Sequence, residues 1–134
     1  QINHDLLISG ILLHDIGKTV ELSGPIIPKY TTEGKLLGHI SIMDSEIRRV
    51  ASELGITNET PMLLEHMILS HHGRQEFGSP VEPLTREALV LNIIDDLDAK
   101  MVILDKAKDA TEEGEFTTKI FPLDERTFYK MKSK

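Results

Sequence analysis

The sequence of 134 residues contains no cysteine and no tryptophan, and it has only two tyrosines and four phenylalanines. Without cysteine the chain forms no disulfide, offers no thiolate to a metal and has no cysteine nucleophile. So few aromatic side chains leave little material for the stacking platforms that bind single-stranded nucleic acid. No run of about 18 apolar residues occurs, so the sequence predicts no membrane-spanning helix.

Positive charge is also scarce, because 22 acidic residues outnumber 15 basic ones and give a net charge of −7. This charge argues against a broad nucleic-acid cradle, which requires a basic surface. It is compatible with cation binding, since metals neutralise clustered carboxylates. The absence of cysteine and of a visible secretory signal leads us to expect a cytoplasmic protein.

Helical periodicity dominates what is present and predicts helices at about residues 5–16, 36–54, 61–71 and 85–107. Gly17 is expected to end the first helix, and Thr60 and Thr85 to cap the third and fourth. The stretch "SGPIIPKYTTEGK" between the first two helices predicts a loop or a short hairpin. We therefore predict an all-α helical bundle with one insertion loop.

Histidines and aspartates recur at the ends of these helices or within their apolar stretches. The candidates are His14, Asp15, His39, His71, His72 and Asp95. An unpaired buried carboxylate costs several kcal/mol, and a metal ion would remove that cost. Imidazole and carboxylate are suitable ligands for manganese, iron, cobalt or zinc. Helical bundles often build metal sites from such side chains on facing helices.

The ordered motifs "LLHDIGK", "GHISIM", "LSHHGRQEFGSP" and "IDDLDAKM" resemble those of the HD-domain metal-dependent phosphohydrolases. Within that superfamily they resemble the YhaM-type 3′→5′ exoribonuclease (CMP-binding factor) family. The resemblance runs from about residue 6 to residue 129. It implies an HD-domain helical bundle with two divalent metal ions, of which manganese, cobalt and iron are the expected choices.

The resemblance also implies a role for each candidate. Asp15 would bridge the two metals, with His14 and Asp95 on the first and His39, His71 and His72 on the second. Lys18 would act with Asp15 in catalysis by orienting a phosphate or the attacking water. Lys18 and Arg74 are the expected substrate-binding residues. His66 is expected to have a structural role or to hydrogen-bond to a metal ligand without binding the metal itself.

One family feature has no counterpart in the sequence, namely a further histidine ligand on a helix that precedes the HD helix. His4 is the only candidate, and ten residues of helix would separate it from His14 by about 15 Å along the axis. We therefore expect residues 1–134 to be an HD domain that lacks its first helix. A nucleic-acid-binding domain is expected upstream in the parent protein.

The resemblance implies hydrolysis of the terminal phosphodiester of single-stranded RNA, bound through the full-length protein, with release of nucleoside monophosphates. DNA as a substrate and a homo-oligomeric state stay open, and no membrane partner is expected. One alternative is a phosphohydrolase of free nucleotides or cyclic dinucleotides, although "GRQEFGSP" lacks the Gly-Tyr-Pro signature of the cyclic-dinucleotide branch. Another is a non-catalytic nucleotide-binding module, and the isolated chain could be inactive.

Overall fold

The computed structural model describes residues 1–24 and 26–133, so Pro25 of the predicted loop lies outside the described residues. The chain divides into two compact units, Gln1–Ile93 and Ile94–Lys134. All the predicted site residues except Asp95 belong to the first unit.

The secondary structure is mainly helical, as the sequence predicts. The helices are α1 (His4–Leu13), α2 (Lys18–Glu21), α3 (Thr32–Glu53), α4 (Thr60–Ser70) and α5 (Arg86–Asp109). Two short antiparallel strands, β1 (Leu22–Ser23) and β2 (Lys29–Tyr30), form a hairpin in which Leu22 pairs with Tyr30. The all-α prediction with a short insertion is confirmed. None of the described helices is both long and apolar enough to cross a membrane.

Short polar side chains mark the helix starts. The Asn3 side chain accepts a hydrogen bond from the Leu6 amide at 3.1 Å and caps α1. Thr31 does the same for α3, accepting from the Gly34 amide at 2.8 Å. The predicted cap Thr85 accepts from the Ala88 amide at 3.2 Å. Each of these bonds satisfies a backbone donor that the first helical turn leaves without a partner.

The predicted end of the first helix is wrong. Helix α1 ends at Leu13, and residues 14–17 form a turn that leads into α2. Gly17 is buried in right-handed helical geometry at the start of α2, with φ −55°, and is not a left-handed C-terminal cap. A Cβ at Gly17 would lie 2.3 Å from the carbonyl oxygen of His39. The glycine therefore permits a close approach of two chain segments that the local pattern does not reveal.

The second predicted helix begins four residues earlier than expected, at Thr32, and is bent at Gly38, where φ is 72° and ψ is 154°. Leu36, the first residue of the predicted helix, is exposed. Its position precedes the bend, so the periodicity that buries the later residues Ile40, Met43 and Ile47 does not extend back to it. The bend thus divides residues 32–37, which are exposed except for Gly34, from the core-facing part of α3.

The third predicted helix is shifted by one residue. Thr60 is the first residue of α4, not its cap, and the preceding Glu59 makes no side-chain capping bond. The Thr60 amide instead donates to the Asn58 side chain at 3.1 Å. Pro61 occupies the first turn, where its missing N–H costs nothing.

The core of the first unit is built mainly from α1, α3, α4 and the start of α5. Helix α3 packs against α2 and α4, and α1 packs against α4. One cluster of buried apolar residues contains Leu6, Met67, Ala88 and Leu91. A second contains Ile40, Met43, Ile47 and Ile68, so α4 contributes to both clusters. This packing brings the C-terminal ends of α1 and α4 to the middle of α3.

The second unit begins within α5 and continues mainly as irregular structure. Isolated bridges pair Phe116 with Tyr129 and Ile120 with Arg126. The rings of Phe116 and Tyr129 lie 5.3 Å apart, centroid to centroid. A single 3-10 turn covers Phe121–Leu123.

Candidate metal centre

Four imidazoles meet one carboxylate in the first unit. The side chains come from the turn after α1 (His14 and Asp15), from α3 just after its bend (His39) and from the turn after α4 (His71 and His72). Asp15 Oδ1 lies 3.6 Å from His39 Nε2 and 3.9 Å from His71 Nε2, and Asp15 Oδ2 lies 3.6 Å from His14 Nε2. Ligand atoms of His39, His71 and His72 lie within 4.8 Å of one another. We call these five residues the histidine–aspartate cluster.

Each imidazole of the cluster is oriented through its Nδ1 atom. Nδ1 contacts the carbonyl oxygen of Ile11 in His14 (2.8 Å), of Ile68 in His71 (2.7 Å) and of Phe77 in His72 (3.0 Å). Nδ1 of His39 contacts Glu21 Oε1 at 3.2 Å. A carbonyl or an ionised carboxylate can only accept, so each Nδ1 carries the proton. In the neutral rings Nε2 is therefore the unprotonated nitrogen, as in metal-binding histidines whose other N–H donates to an oxygen.

The centre of the cluster consists of hydrogen-bond acceptors. Three of its buried atoms, Asp15 Oδ1, His39 Nε2 and His71 Nε2, have no hydrogen-bond partner among the described residues. Leaving such atoms without a partner costs about 1–3 kcal/mol each. Converging lone pairs also repel one another, and a cation relieves both penalties. The cluster therefore has the donor atoms and the electrostatics of a divalent metal site.

Burial favours the neutral form of the His71 ring. Its side chain is 0% exposed, and burial lowers the pKa of His71 to about 4. His71 is thus neutral near pH 7, which is the protonation state that binds metals. Asn92 of α5 donates from Nδ2 to the His71 carbonyl oxygen at 2.8 Å and fixes the backbone at the end of α4. Asn92 is a supporting residue that the sequence analysis did not identify.

Lys18 compensates the charge of Asp15. Its Nζ donates to Asp15 Oδ2 at 2.6 Å across one helical turn. Burial alone would raise the pKa of the Asp15 carboxyl, but the hydrogen bond and charge of Lys18, with His14 and His39, hold it below its usual range. Asp15 is therefore ionised at neutral pH. Oδ2 faces Lys18, while Oδ1 faces His39 and His71.

Glu21 is a second residue that the sequence analysis missed. Its side chain is buried at 8% exposure, and Oε1 accepts from both the backbone N–H of His39 at 3.1 Å and the ring Nδ1–H at 3.2 Å. The carboxylate thus holds the backbone just after the Gly38 bend and the imidazole together. The two residues are 18 positions apart, on different helices, so no local pattern links them.

The sequence matches the HD domain family over residues 1–100, which include the whole histidine–aspartate cluster. The chain belongs to the HD domain family. It is also 54% identical over 129 residues to "3′-5′ exoribonuclease YhaM" of Geobacillus sp. (strain WCH70), and equally identical to the protein of that name from Bacillus pumilus (strain SAFR-032). The matched segment covers 96% of this chain but only 40% and 41% of the two relatives. No solved structure matches the chain.

Three other predicted residues are not among the five that define the cluster of this HD domain. Asp95 is half-buried in α5, within the second unit, and its role as a ligand stays a prediction. Arg74 is exposed, with Nη1 3.3 Å from Glu76 Oε1, and its contact with substrate also stays a prediction. His66 Nε2 accepts the Leu84 amide at 2.9 Å and so fastens the loop before α5 to α4. This contact is structural, one of the two roles expected for His66.

Proposed function

We propose that this HD domain is the phosphodiesterase part of a 3′→5′ exoribonuclease. It would hydrolyse the terminal phosphodiester of single-stranded RNA and release nucleoside monophosphates. The observation that carries the proposal is the convergence of Asp15 and of proton-free imidazole nitrogens on a buried point. The names of the relatives from Geobacillus and Bacillus pumilus support the choice of RNA and of the 3′ end.

His39, His71 and His72 would hold one divalent ion together with Asp15 Oδ1, because their ligand atoms form the tight group. Asp15 Oδ2 and His14 Nε2 would contribute to a second ion, with Asp95 as the further ligand. Bound divalent ions supply Lewis acidity, which stabilises the charge that develops on the attacking and leaving oxygens of a phosphodiester. Manganese is the ion we would test first, with cobalt and iron next.

Lys18 would bind a phosphate oxygen of the substrate. Its side chain is about half-exposed, and its ammonium already lies beside the carboxylate at the centre. An ammonium group has three donors, so the bond to Asp15 leaves two for a phosphate. Hydrolysis adds the oxygen of water to phosphorus and breaks the bond to the 3′ oxygen of the preceding nucleotide, which leaves as a hydroxyl. Arg74, on the loop after His72, is the second proposed phosphate contact.

An exonuclease assay of this chain with Mn²⁺ tests the proposal. The substrates are a 5′-labelled RNA with a free 3′ hydroxyl, the same RNA blocked at its 3′ end, a free nucleotide and a cyclic dinucleotide. We expect stepwise shortening of the unblocked RNA alone. Asp15→Asn should reduce the rate by more than roughly 10–100-fold, which is the loss typical when a residue that hydrogen-bonds to a metal ligand is mutated. Asp5→Asn, which alters an exposed carboxylate of α1, is the matched control.

The other outcomes identify the rivals. Hydrolysis of the free nucleotide or the cyclic dinucleotide without shortening of RNA would establish a phosphohydrolase of small substrates instead. Metal binding without hydrolysis of any of the four substrates would favour a non-catalytic nucleotide-binding module for this chain. Hydrolysis of small substrates alone would contradict the proposed reaction, and so would the absence of RNA hydrolysis if the full-length protein were inactive as well.

Metal content gives a prediction that does not depend on activity. We expect one tightly held ion per chain, or one strong and one weak ion. His39, His71 and His72 form a compact set with Asp15, whereas the site of His14 and Asp95 would lack the further histidine ligand that the family resemblance implies. Elemental analysis after dialysis against Mn²⁺ measures the ratio. Two ions held with equal affinity would contradict this ranking of the sites.

A further inference from the structure

A pocket of about 230 Å³ adjoins the histidine–aspartate cluster. The bend of α3 forms one part of its lining, and the loop that follows α4 forms another. Two of the lining residues, His39 and His72, also belong to the cluster, so the pocket is continuous with the candidate metal centre. We call it the bend pocket.

Phe77 brings an aromatic ring to the bend pocket. The side chain is 64% exposed, yet its backbone is fixed on both sides. The Phe77 carbonyl oxygen accepts the Nδ1–H of His72 at 3.0 Å, and its amide donates to the Arg74 carbonyl at 2.9 Å. Gly78, at φ 100°, completes the turn by donating to Gln75 at 3.0 Å. The backbone that carries the ring is thus held beside the cluster through His72.

The charge of the lining indicates which part of a nucleotide the pocket suits. Among its lining residues the carboxyl group is that of Glu21, and it accepts a hydrogen bond from His39. Apart from the two histidines and Ser41, the remaining lining is apolar, with Leu37, Ile40 and Phe77 as its large side chains. The cation Lys18 lies on the side of Asp15 instead. A flat, uncharged group fits this lining better than a phosphate does.

We propose that the bend pocket binds the 3′-terminal nucleoside of the RNA, with its base stacked on the ring of Phe77. The scissile phosphodiester would then lie at the adjoining cluster. The volume is below the roughly 300–1,000 Å³ of pockets for drug-sized ligands, which suits one nucleoside and not a longer stretch of chain. This inference rests on the proposed function and names the substrate group that the site recognises.

A tryptophan substitution tests the pocket directly, because the chain has no tryptophan of its own. Phe77→Trp would place the sole tryptophan at the bend pocket. Phe121→Trp is the matched control, since Phe121 is an exposed phenylalanine of the second unit. The probes are uridine 5′-monophosphate and, as the form that lacks a base, ribose 5-phosphate, both with Mn²⁺. We expect uridine 5′-monophosphate to quench the fluorescence of Phe77→Trp saturably, with no such change for ribose 5-phosphate or for Phe121→Trp.

Binding calorimetry, on the unsubstituted chain and on variants without an introduced tryptophan, gives the second measurement. Phe77→Ala should weaken binding of uridine 5′-monophosphate about 10–100-fold, the range expected for loss of one aromatic stack. Phe77→Tyr should retain the affinity, and Phe77→Leu, which keeps an apolar side chain but loses the ring, should not. Phe121→Ala should bind like the unsubstituted chain.

Three results would overturn the pocket: no binding of uridine 5′-monophosphate, equal affinity in Phe77→Ala, or equal quenching of the two tryptophan variants. These measurements need no turnover, so they separate the two proposals. Nucleotide binding that depends on Phe77 would support the pocket whether or not the chain shortens RNA.

Discussion

Glu21 influences the candidate metal centre at the scale of a single residue, through the tautomer of His39. We expect Glu21→Gln to weaken Mn²⁺ binding about 10–100-fold, because a neutral amide holds the Nδ1–H of the ring less strongly than a carboxylate does. Nitrogen NMR of the metal-free chain should show a larger fraction of His39 protonated at Nε2. Binding calorimetry measures the affinity.

The control for that substitution is Glu33→Gln, an exposed carboxylate at the start of α3. It should leave both the metal affinity and the His39 resonances unchanged. A purely structural role for Glu21 would lower stability in Glu21→Gln without altering the tautomer of His39. That result would contradict the positioning role.

His66 provides a prediction about pH. Burial lowers the pKa of His66 below the ordinary value of about 6.5, and its Nε2 must be unprotonated to accept the Leu84 amide. The unfolded chain therefore binds this proton at a higher pH than the folded chain. The contribution to stability is fully present above about pH 6.5 and is lost as the pH falls through the lower pKa of the folded state.

Urea unfolding of the metal-free chain measures this effect. His66→Ala should lower the free energy of unfolding by about 1 kcal/mol at pH 7.5, the value of one hydrogen bond. The difference from the unsubstituted chain should shrink as the pH is lowered to 5. A difference that stays constant over this range would show that the hydrogen bond does not depend on the protonation of His66.

At the scale of the elements, the turn that precedes α2 contacts helix α3, and this contact depends on the absence of a side chain at Gly17. In Gly17→Ala the new Cβ would lie 2.3 Å from the His39 carbonyl oxygen, so α3 or the turn must shift. We expect a loss of about 1–3 kcal/mol in the free energy of unfolding, as in other overpacked cores. We also expect weaker Mn²⁺ binding, because His39 moves with its backbone.

Gly55→Ala separates that steric effect from a backbone effect. Gly55 has φ +65° and open space around it, so alanine there costs only the strain of the left-handed conformation, about 1–2 kcal/mol. Both variants should unfold more easily, but only Gly17→Ala should lose metal affinity. Equal metal affinity in the two variants would mean that the close approach is not needed at the centre.

Helix positions and the identity of the cluster could be predicted from the sequence, whereas its supporting contacts could not. Periodicity places α3, α4 and α5 to within a few residues, and the order of His and Asp residues identifies the five members of the cluster. The sequence misplaces the end of α1, because the glycine at position 17 serves a close approach to the distant residue His39 and not the end of a helix. Glu21 and Asn92 were missed for the same reason, since each acts on a histidine about 20 positions away.

At the scale of the whole molecule, the net charge of −7 predicts weak binding of RNA by this chain alone. Cationic side chains release counterions from the phosphates, and a chain with few of them gains little from this effect. We expect weak binding of single-stranded RNA at physiological salt, with little change as salt is raised further. Fluorescence anisotropy of a labelled RNA measures it. Tight, salt-sensitive binding would show that a local basic patch outweighs the net charge.

The four acceptors of the Nδ1–H bonds, which anchor the imidazoles, differ in how easily a mutation can remove them. Those of His14, His71 and His72 are main-chain carbonyl oxygens, which every amino acid supplies, so no substitution can delete them. The anchor of His39 is a side chain, and a single nucleotide change in the codon of Glu21 can remove it. Among these four anchors, Glu21 is therefore the one at which genetic drift or a designer can retune the centre while every proposed ligand stays in place.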